Sequence, residues 1–133
     1  MNLYLDASAL VKRYVAEPGS DLVRGAMDGA DAWFICRVGF VETTRAVSRA
    51  AGPAAARAIR EEWPAFGILE IDQDLIEHAS ALAVNRKLGS LDALHLAASL
   101  LLPRDDLVMI TWDTRLHAAA RAEGIDVLPK SPG

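Results

Sequence analysis

Short apolar runs alternate along the chain with longer stretches in which apolar residues recur every three or four positions. The short runs, bounded by turn-forming residues, predict strands, and the longer periodic stretches predict helices. The predicted strands are Asn2–Leu5, Ala32–Ile35, Gly67–Ile71, Leu107–Thr111 and Ile125–Leu128. The predicted helices are Ser8–Tyr14, Ser20–Met27, Val38–Ala51, Pro53–Phe66, Gln73–Lys87, Leu91–Leu101 and Arg115–Glu123.

Strands that are separated by helices pair in parallel through crossover connections, so this order predicts the α/β class. We expect a three-layer α/β/α sandwich with a mostly parallel central sheet of about five strands, Rossmann-like in its layout. Neither an internal repeat nor a low-complexity linker interrupts the pattern. Residues 1–133 are therefore expected to form a single domain.

Composition narrows the class of protein. Hydrophobic residues make up 52% of the 133 residues, which is ample for a buried core without a stabilising metal or disulfide. Cys36 is the only cysteine, so an intramolecular disulfide and a zinc site built from several thiolates are excluded. Neither a signal peptide nor a membrane-length apolar run is visible, and we expect a soluble, cytoplasmic protein. The net charge of −4 argues mildly against a nucleic-acid substrate.

Two aspartates lie just after the ends of predicted strands and open helices. Asp6 follows the first strand, and Asp113 follows the fourth. The carboxyl ends of parallel strands meet at one edge of a sheet, where ligands of such folds bind, so both side chains are expected at that edge. Each aspartate taken alone is better explained as an N-cap of its helix, and the convergence of the two on one edge favours a functional role.

Asp92 lies in a predicted helix that is apolar nearly all round, which indicates a buried helix. Its few polar residues, Asp92, His95 and Ser99, share one narrow stripe. A buried carboxylate must be paired or bind a cation, so Asp92 is a candidate functional residue. The alternative is that Asp92 interacts with the helix dipole behind an N-cap at Ser90.

Glu42 is a weaker candidate, one turn into the third predicted helix. It forms an i, i+3 neighbour pair with Arg45, which is an ordinary surface arrangement on a helix. From the residues alone, a functional role and a surface ion pair stay equally open for Glu42.

A cluster of carboxylates requires compensation. Two of them about 4 Å apart repel by about 4 kcal/mol at an effective dielectric constant of 20, so the cluster takes up protons or holds a cation. Oxygen ligands with few histidines favour Mg²⁺ or Mn²⁺ over zinc. Such ions promote phosphodiester hydrolysis, and the pattern thus predicts metal-dependent phosphoryl chemistry. It does not identify RNA as the substrate.

Four segments of the chain form a familiar set. They are Leu3–Tyr14, Glu42 with Arg45, Leu91–Ala97, and Thr111–Asp113 with Leu116. In this order and spacing they resemble VapC-type toxins of the PIN-domain family, in type II toxin–antitoxin systems. The resemblance covers essentially the whole chain, and although each motif is weak alone, the set is specific.

The resemblance implies a PIN fold, an endoribonuclease that uses Mg²⁺ or Mn²⁺, a homodimer and a cognate VapB-like antitoxin. The residues that match the acidic quartet of the family are Asp6, Glu42, Asp92 and Asp113. The family then implies that Asp6 and Asp92 ligate metal and that Glu42 holds or orients a metal-bound water. It implies that Asp113 ligates a second ion or supports the first. Residues expected to support the acids by hydrogen bonding are Ser8, His95 and Thr111.

Two other functions remain open. One is a phosphatase-like or receiver-like domain in which Asp6 accepts a phosphoryl group. A dehalogenase-type phosphatase would need a second aspartate at position 8, which is Ser8 in this chain. The other is a non-catalytic binding module in which the acids only cap helices and receive a basic partner segment.

Overall fold

The computed structural model describes residues 1–132; Gly133, the last residue of the predicted domain, lies outside them. Every strand of the central sheet is parallel to its neighbours. The strands are β1 (Asn2–Leu5), β2 (Ala32–Cys36), β3 (Gly67–Leu69), β4 (Leu107–Ile110) and β5 (Asp126–Leu128). Their order in the sheet is β3-β2-β1-β4-β5, with β1 in the centre.

Helices cover both faces of the sheet. They are α1 (Ala7–Tyr14), α2 (Ser20–Gly29), α3 (Val38–Ala51), α4 (Pro53–Glu62), α5 (Gln73–Asn85), α6 (Ser90–Ser99) and α7 (Thr114–Ala122), with 3₁₀ turns at Trp63–Ala65 and Arg104–Asp106. Alternate side chains of β1 enter different cores: Leu3 and Leu5 pack with α1–α4, whereas Tyr4 packs with α5–α7. The predicted three-layer α/β/α sandwich is therefore confirmed. None of the helices within residues 1–132 combines the length and apolar character needed to cross a bilayer.

The predicted elements are all present, with shifts at their ends. The helix predicted to reach Phe66 ends at Glu62, where Trp63 and the following Pro64 form a 3₁₀ turn. The helix expected to run from Leu91 to Leu101 is α6, which is shorter at its end. Leu91 and Leu101 are 45% and 62% exposed, so the expectation of a helix buried on every side was wrong at its ends.

The topology places several polar residues at one edge. Because all five strands run in the same direction, their carboxyl ends share one edge of the sheet. Asp6 directly follows β1, and Thr111 directly follows β4 in the neighbouring strand. Register pairs Leu5 with Ile110, which brings these two polar residues side by side.

Candidate metal centre at the carboxyl edge of the sheet

Asp6 is buried, with 4% of its surface exposed, and both of its carboxylate oxygens are hydrogen bonded. Ser8 Oγ and the backbone N–H of Ala9 donate to Oδ1 at 2.7 and 3.0 Å. Thr111 Oγ1 donates to Oδ2 at 2.5 Å. Burial raises the pKa of Asp6, while these hydrogen bonds and nearby His95 act in the opposite direction. Asp6 thus caps α1, as the alternative interpretation held, and also faces the edge of the sheet.

Asp113 caps α7 in the same way. Its Oδ1 accepts from the N–H of Leu116 at 2.9 Å, and its own N–H donates to Thr111 Oγ1 at 3.1 Å. The Thr111 hydroxyl therefore joins the two capping aspartates, because it donates to one and accepts from the backbone of the other. A second link runs through Ser8, whose Oγ accepts from the N–H of Trp112 at 2.9 Å.

Asp92 has a raised pKa that its acidic neighbours help to produce. It lies in the first turn of α6, close enough to Asp113 for the two negative charges to interact. Burial, followed by the negative charges of Asp113 and Asp6, raises the pKa of Asp92 to about 6. Ionised carboxylates that repel one another are stabilised by a proton or a cation between them, so the group favours added positive charge near neutral pH. The expected N-cap at Ser90 was wrong, since the cap residue is Gly89 and Ser90 begins the helix.

Glu42 reaches the same region through a histidine. Glu42 Oε1 lies 2.7 Å from His95 Nε2, and His95 Nδ1 lies 2.7 Å from the hydroxyl of Tyr4. Tyr4 and His95 are buried. The surface ion pair considered for Glu42 and Arg45 was wrong, because the Glu42 carboxylate pairs with His95 instead.

The polar stripe on α6 is only partly a feature of the site. Ser99 Oγ donates to the carbonyl of Leu96 at 2.7 Å, so its hydroxyl is satisfied within its own helix.

Tyr4, by contrast, contacts the candidate site and was not identified from the sequence. The available signal was a tyrosine within an apolar central strand, since a buried phenol requires a hydrogen-bond partner.

The donor set fits a hard divalent cation in its chemistry, although the side chains do not enclose one. Asp6, Asp92 and Asp113 interact electrostatically at one edge of the sheet. Within residues 1–132, however, no three histidine, cysteine, aspartate or glutamate side chains are arranged so that they could hold a single ion together. A cluster of acids that does not enclose an ion still suits Mg²⁺. This ion binds proteins through one or two carboxylates and keeps several of its water ligands.

Comparisons with known sequences find relatives over nearly the whole chain. The profile of the family described as PIN domain matches residues 3–122. Ribonuclease VapC49 of Mycobacterium tuberculosis (strain ATCC 25618 / H37Rv) is 35% identical over 136 residues, which cover 96% of the chain and 94% of that protein. Ribonuclease VapC46 of the same strain is 32% identical over 129 residues, which cover 97% and 98%.

Solved structures share the fold at lower sequence identity. Mycobacterium tuberculosis VapC20, described as a sarcin-ricin loop cleaving toxin, has a TM-score of 0.74 and 17% identity, with 88% of this chain and 94% of that chain covered. A toxin–antitoxin complex from Klebsiella pneumoniae has a TM-score of 0.73 and 21% identity, with 98% of both chains covered.

Proposed function

The chain belongs to the VapC ribonucleases of the PIN-domain family, and from that premise we propose that Asp6, Glu42, Asp92 and Asp113 form its metal-dependent centre for hydrolysis of RNA. The observation that carries the proposal is the repulsion of Asp92 by Asp113 and Asp6 at the carboxyl edge of the sheet. Helix capping accounts for the positions of two of these residues. It does not account for a third carboxylate placed against them at an electrostatic cost.

The proposed roles follow from the contacts of each acid. Asp6 and Asp92 hold the cation, Asp6 being kept rigid by Ser8 and Thr111. Asp113 adds negative charge beside Asp92. Mg²⁺ or Mn²⁺ bound there would supply activation of water and stabilisation of charge on the phosphodiester oxygens. Glu42, held by His95, would orient the attacking water.

The structure disfavours the phosphoryl-acceptor alternative for Asp6. A nucleophilic carboxylate needs an oxygen that is open to the phosphorus atom. In Asp6 both oxygens accept hydrogen bonds, and the side chain is buried. One remaining lone-pair direction suits a cation better than in-line attack on a bulky phosphate group.

The proposal includes a regulator and a second copy of the chain. A cognate VapB-like antitoxin would hold the enzyme inactive, and an arginine from it is a suitable inhibitor because a guanidinium pairs bidentately with carboxylates. A homodimer is the proposed assembly, as the family resemblance implies.

The test is cleavage of total cellular RNA by the purified chain, with sequencing of the new 5′ ends. We expect Mg²⁺ or Mn²⁺ to support cleavage that leaves 5′-phosphates, and EDTA to stop it. Asp6→Asn and Asp92→Asn should abolish cleavage, and asparagine keeps the helix cap at position 6, so the fold should survive. Asp105→Asn, at an exposed aspartate in a 3₁₀ turn, is the matched control.

Each competing function has a distinct result. Wild-type cleavage rates in Asp6→Asn or Asp92→Asn would contradict the assignment of these acids. A trapped phosphoaspartate at Asp6 would support a receiver-like domain. Calorimetry without any divalent-ion binding would support a non-catalytic module.

A further inference from the structure

A basic groove lies between the end of α5 and the length of α7, and nothing in the proposed catalytic centre uses it. The groove has a volume of about 610 Å³. Its cationic lining residues are Arg86, Lys87 and Arg115. Asn85 and three alanines of α7, which we call the floor, complete the lining: Ala118, Ala119 and Ala122. Among residues 1–132, no acidic side chain lines it, although the chain as a whole carries a net charge of −4. We call this feature the α5–α7 groove.

The α5–α7 groove starts beside the acidic centre. Arg115 is in the first turn of α7, two residues after Asp113, and the floor residues follow along the same face of the helix. From Arg115 to Ala122 the groove therefore extends about 10 Å along α7, at 1.5 Å per residue. A chain that lies in the groove at the Arg115 end is adjacent to the carboxyl edge of the sheet.

Lys87 has an unusual backbone conformation for its residue type. Its φ is +56°, the only positive φ of a non-glycine residue within residues 1–132. It follows the last turn of α5, where the N–H of Leu88 bonds to the carbonyl of Ala83 at 3.0 Å and the buried Leu88 anchors the turn. Glycine is preferred at this position of a helix end. Strained backbone of this kind is concentrated at functional sites, which makes Lys87 a candidate binding residue.

Two of the three cations are free to bind a ligand. Arg86 forms an ion pair with Glu123. Lys87 and Arg115 are exposed, and neither forms an ion pair within residues 1–132. The floor offers only alanine, so the groove lacks the apolar pockets that anchor a protein partner. Repeated cations above a flat, small-residue floor suit a phosphate backbone.

We propose that the α5–α7 groove binds the sugar–phosphate backbone of the RNA strand that enters the acidic centre, with Lys87 and Arg115 as its phosphate contacts. This inference rests on the proposed ribonuclease function and assigns the side from which the substrate enters. The net charge of −4 argued against a nucleic-acid substrate. The groove answers that objection, because it concentrates cations where an anionic strand would pass the acids.

The test measures binding separately from cleavage. A short fluorescein-labelled single-stranded RNA of mixed sequence is titrated with the full chain in EDTA, and fluorescence anisotropy gives the affinity at several salt concentrations. For the double variant Lys87→Gly/Arg115→Gln, we expect the slope of log K against log salt to become shallower by about 1.4, since each phosphate contact on a single strand contributes about 0.7. Affinity at low salt should fall on the order of tenfold or more.

Two further variants separate binding from folding. Lys87→Gly alone should raise the melting temperature, because glycine relieves the left-handed strain, and should nevertheless weaken RNA binding. Glu123→Gln should release Arg86 and tighten binding at low salt, a gain that misfolding does not produce. The matched control is Arg57→Gln/Arg60→Gln on α4, which removes two exposed charges from the opposite face of the sheet.

Several results would overturn the proposal. One is an unchanged salt slope in Lys87→Gly/Arg115→Gln. Another is a loss of RNA affinity in the α4 control that equals the loss in this double variant. Binding of a polyglutamate peptide that depends on Lys87 and Arg115, with RNA binding unaffected, would assign the groove to an acidic protein partner instead. Metal-dependent cleavage by the wild-type chain is measured in parallel. Its absence would refute the proposed function, whereas the groove is judged from the binding data alone.

Discussion

The buried hydroxyl of Tyr4 lies 2.7 Å from Nδ1 of His95, and the groups on either side fix the direction of this hydrogen bond. On one side, the N–H of Cys36 donates to the Tyr4 oxygen at 3.0 Å. On the other, His95 Nε2 faces a carboxylate oxygen of Glu42 and must donate to it. When the imidazole is neutral it has one N–H, so in that state Nδ1 accepts and Tyr4 donates. Tyr4 thereby selects the tautomer of His95 that binds Glu42.

Removal of the Tyr4 hydroxyl is therefore expected to affect catalysis through Glu42. We predict that Tyr4→Phe lowers kcat for RNA cleavage by about 10- to 100-fold with a smaller change in KM, the range found when residues that orient active-site ligands are altered. The ¹⁵N chemical shifts of His95 should show that the Nε2–H tautomer is no longer the single form.

A second tyrosine provides the control for this experiment. Tyr14 also donates its hydroxyl to a glutamate, Glu62 Oε1 at 2.5 Å, but it is the last residue of α1, at the other end of the helix from Asp6. Tyr14→Phe should reduce stability without a change in kcat. If Tyr4→Phe matched Tyr14→Phe in kcat once both were corrected for the folded fraction, Tyr4 would have only a structural role.

Asp92 should destabilise the metal-free protein. Because its pKa is raised to about 6, ionisation of Asp92 near neutral pH costs the folded state free energy. We predict that Asp92→Asn increases the free energy of unfolding in EDTA at pH 7.5 by about 1–2 kcal/mol, a value reduced to allow for its partial exposure. Denaturant unfolding of both proteins measures the difference.

The raised pKa of Asp92 also determines how the stability difference between Asp92→Asn and the wild type changes with pH. Below about pH 4 the Asp92 carboxyl is protonated in both the folded and unfolded states, so its charge makes no difference there. As the pH rises to about 6, the wild type loses stability and Asp92→Asn does not. The advantage of the variant should therefore be absent at low pH and complete above pH 6. A constant difference, or one shared by the Asp105→Asn control, would contradict the repulsion on which the proposed centre depends.

The edge of the sheet that carries the site could be predicted from sequence because topology alone decides it. Asp6 and Asp113 each follow a strand, and parallel strands bring such residues to one edge wherever the helices lie. The same logic gave the three layers, since the alternation of strands and helices leaves few other arrangements. Side-chain contacts did not enter either inference.

The long-range pairings could not be predicted in this way. Glu42 had a sequence neighbour of opposite charge in Arg45, and local spacing gives no reason to prefer His95, which is fifty-three residues away. Whether Tyr4 faces α6 depends on which side of β1 is covered by which helices. The positive φ of Lys87 could not be predicted either. Glycine is the residue that usually marks such a position at a helix end, and a lysine gives no sign of it.

Gly39 provides a test of packing beneath the site. It lies on α3 one turn before Glu42, and a Cβ added there would collide with Ile35 Cδ1 and come within 3.4 Å of His95 Cε1. We predict that Gly39→Ala destabilises the protein by about 1–3 kcal/mol despite the better helix propensity of alanine. Gly25→Ala, in α2 with nothing within 4 Å of the new Cβ, should stabilise it instead. Equal stability of the two variants in thermal unfolding would contradict this packing.

Thr111 allows the support of Asp6 to be tested with a matched control in the same protein. Its hydroxyl donates to Asp6 Oδ2 and accepts from the N–H of Asp113, so Thr111→Val leaves both of these groups without a partner. We expect a loss of about 1–3 kcal/mol in stability, since the cost is that of unsatisfied buried polar groups. Thr43 is equally buried, but its hydroxyl has no hydrogen-bond partner within residues 1–132. Thr43→Val should therefore be neutral or stabilising.

The same substitution should also change the competition between protons and metal at Asp6. The Thr111 hydrogen bond lowers the pKa of Asp6 against the effect of burial, so Thr111→Val should raise that pKa further. A proton then competes better with a cation, and Mn²⁺ affinity measured by calorimetry should fall near pH 6 and recover as the pH rises. Thr43→Val should leave the affinity unchanged at every pH. A pH-independent loss in Thr111→Val would mean that the threonine positions Asp6 sterically and does not act through its charge.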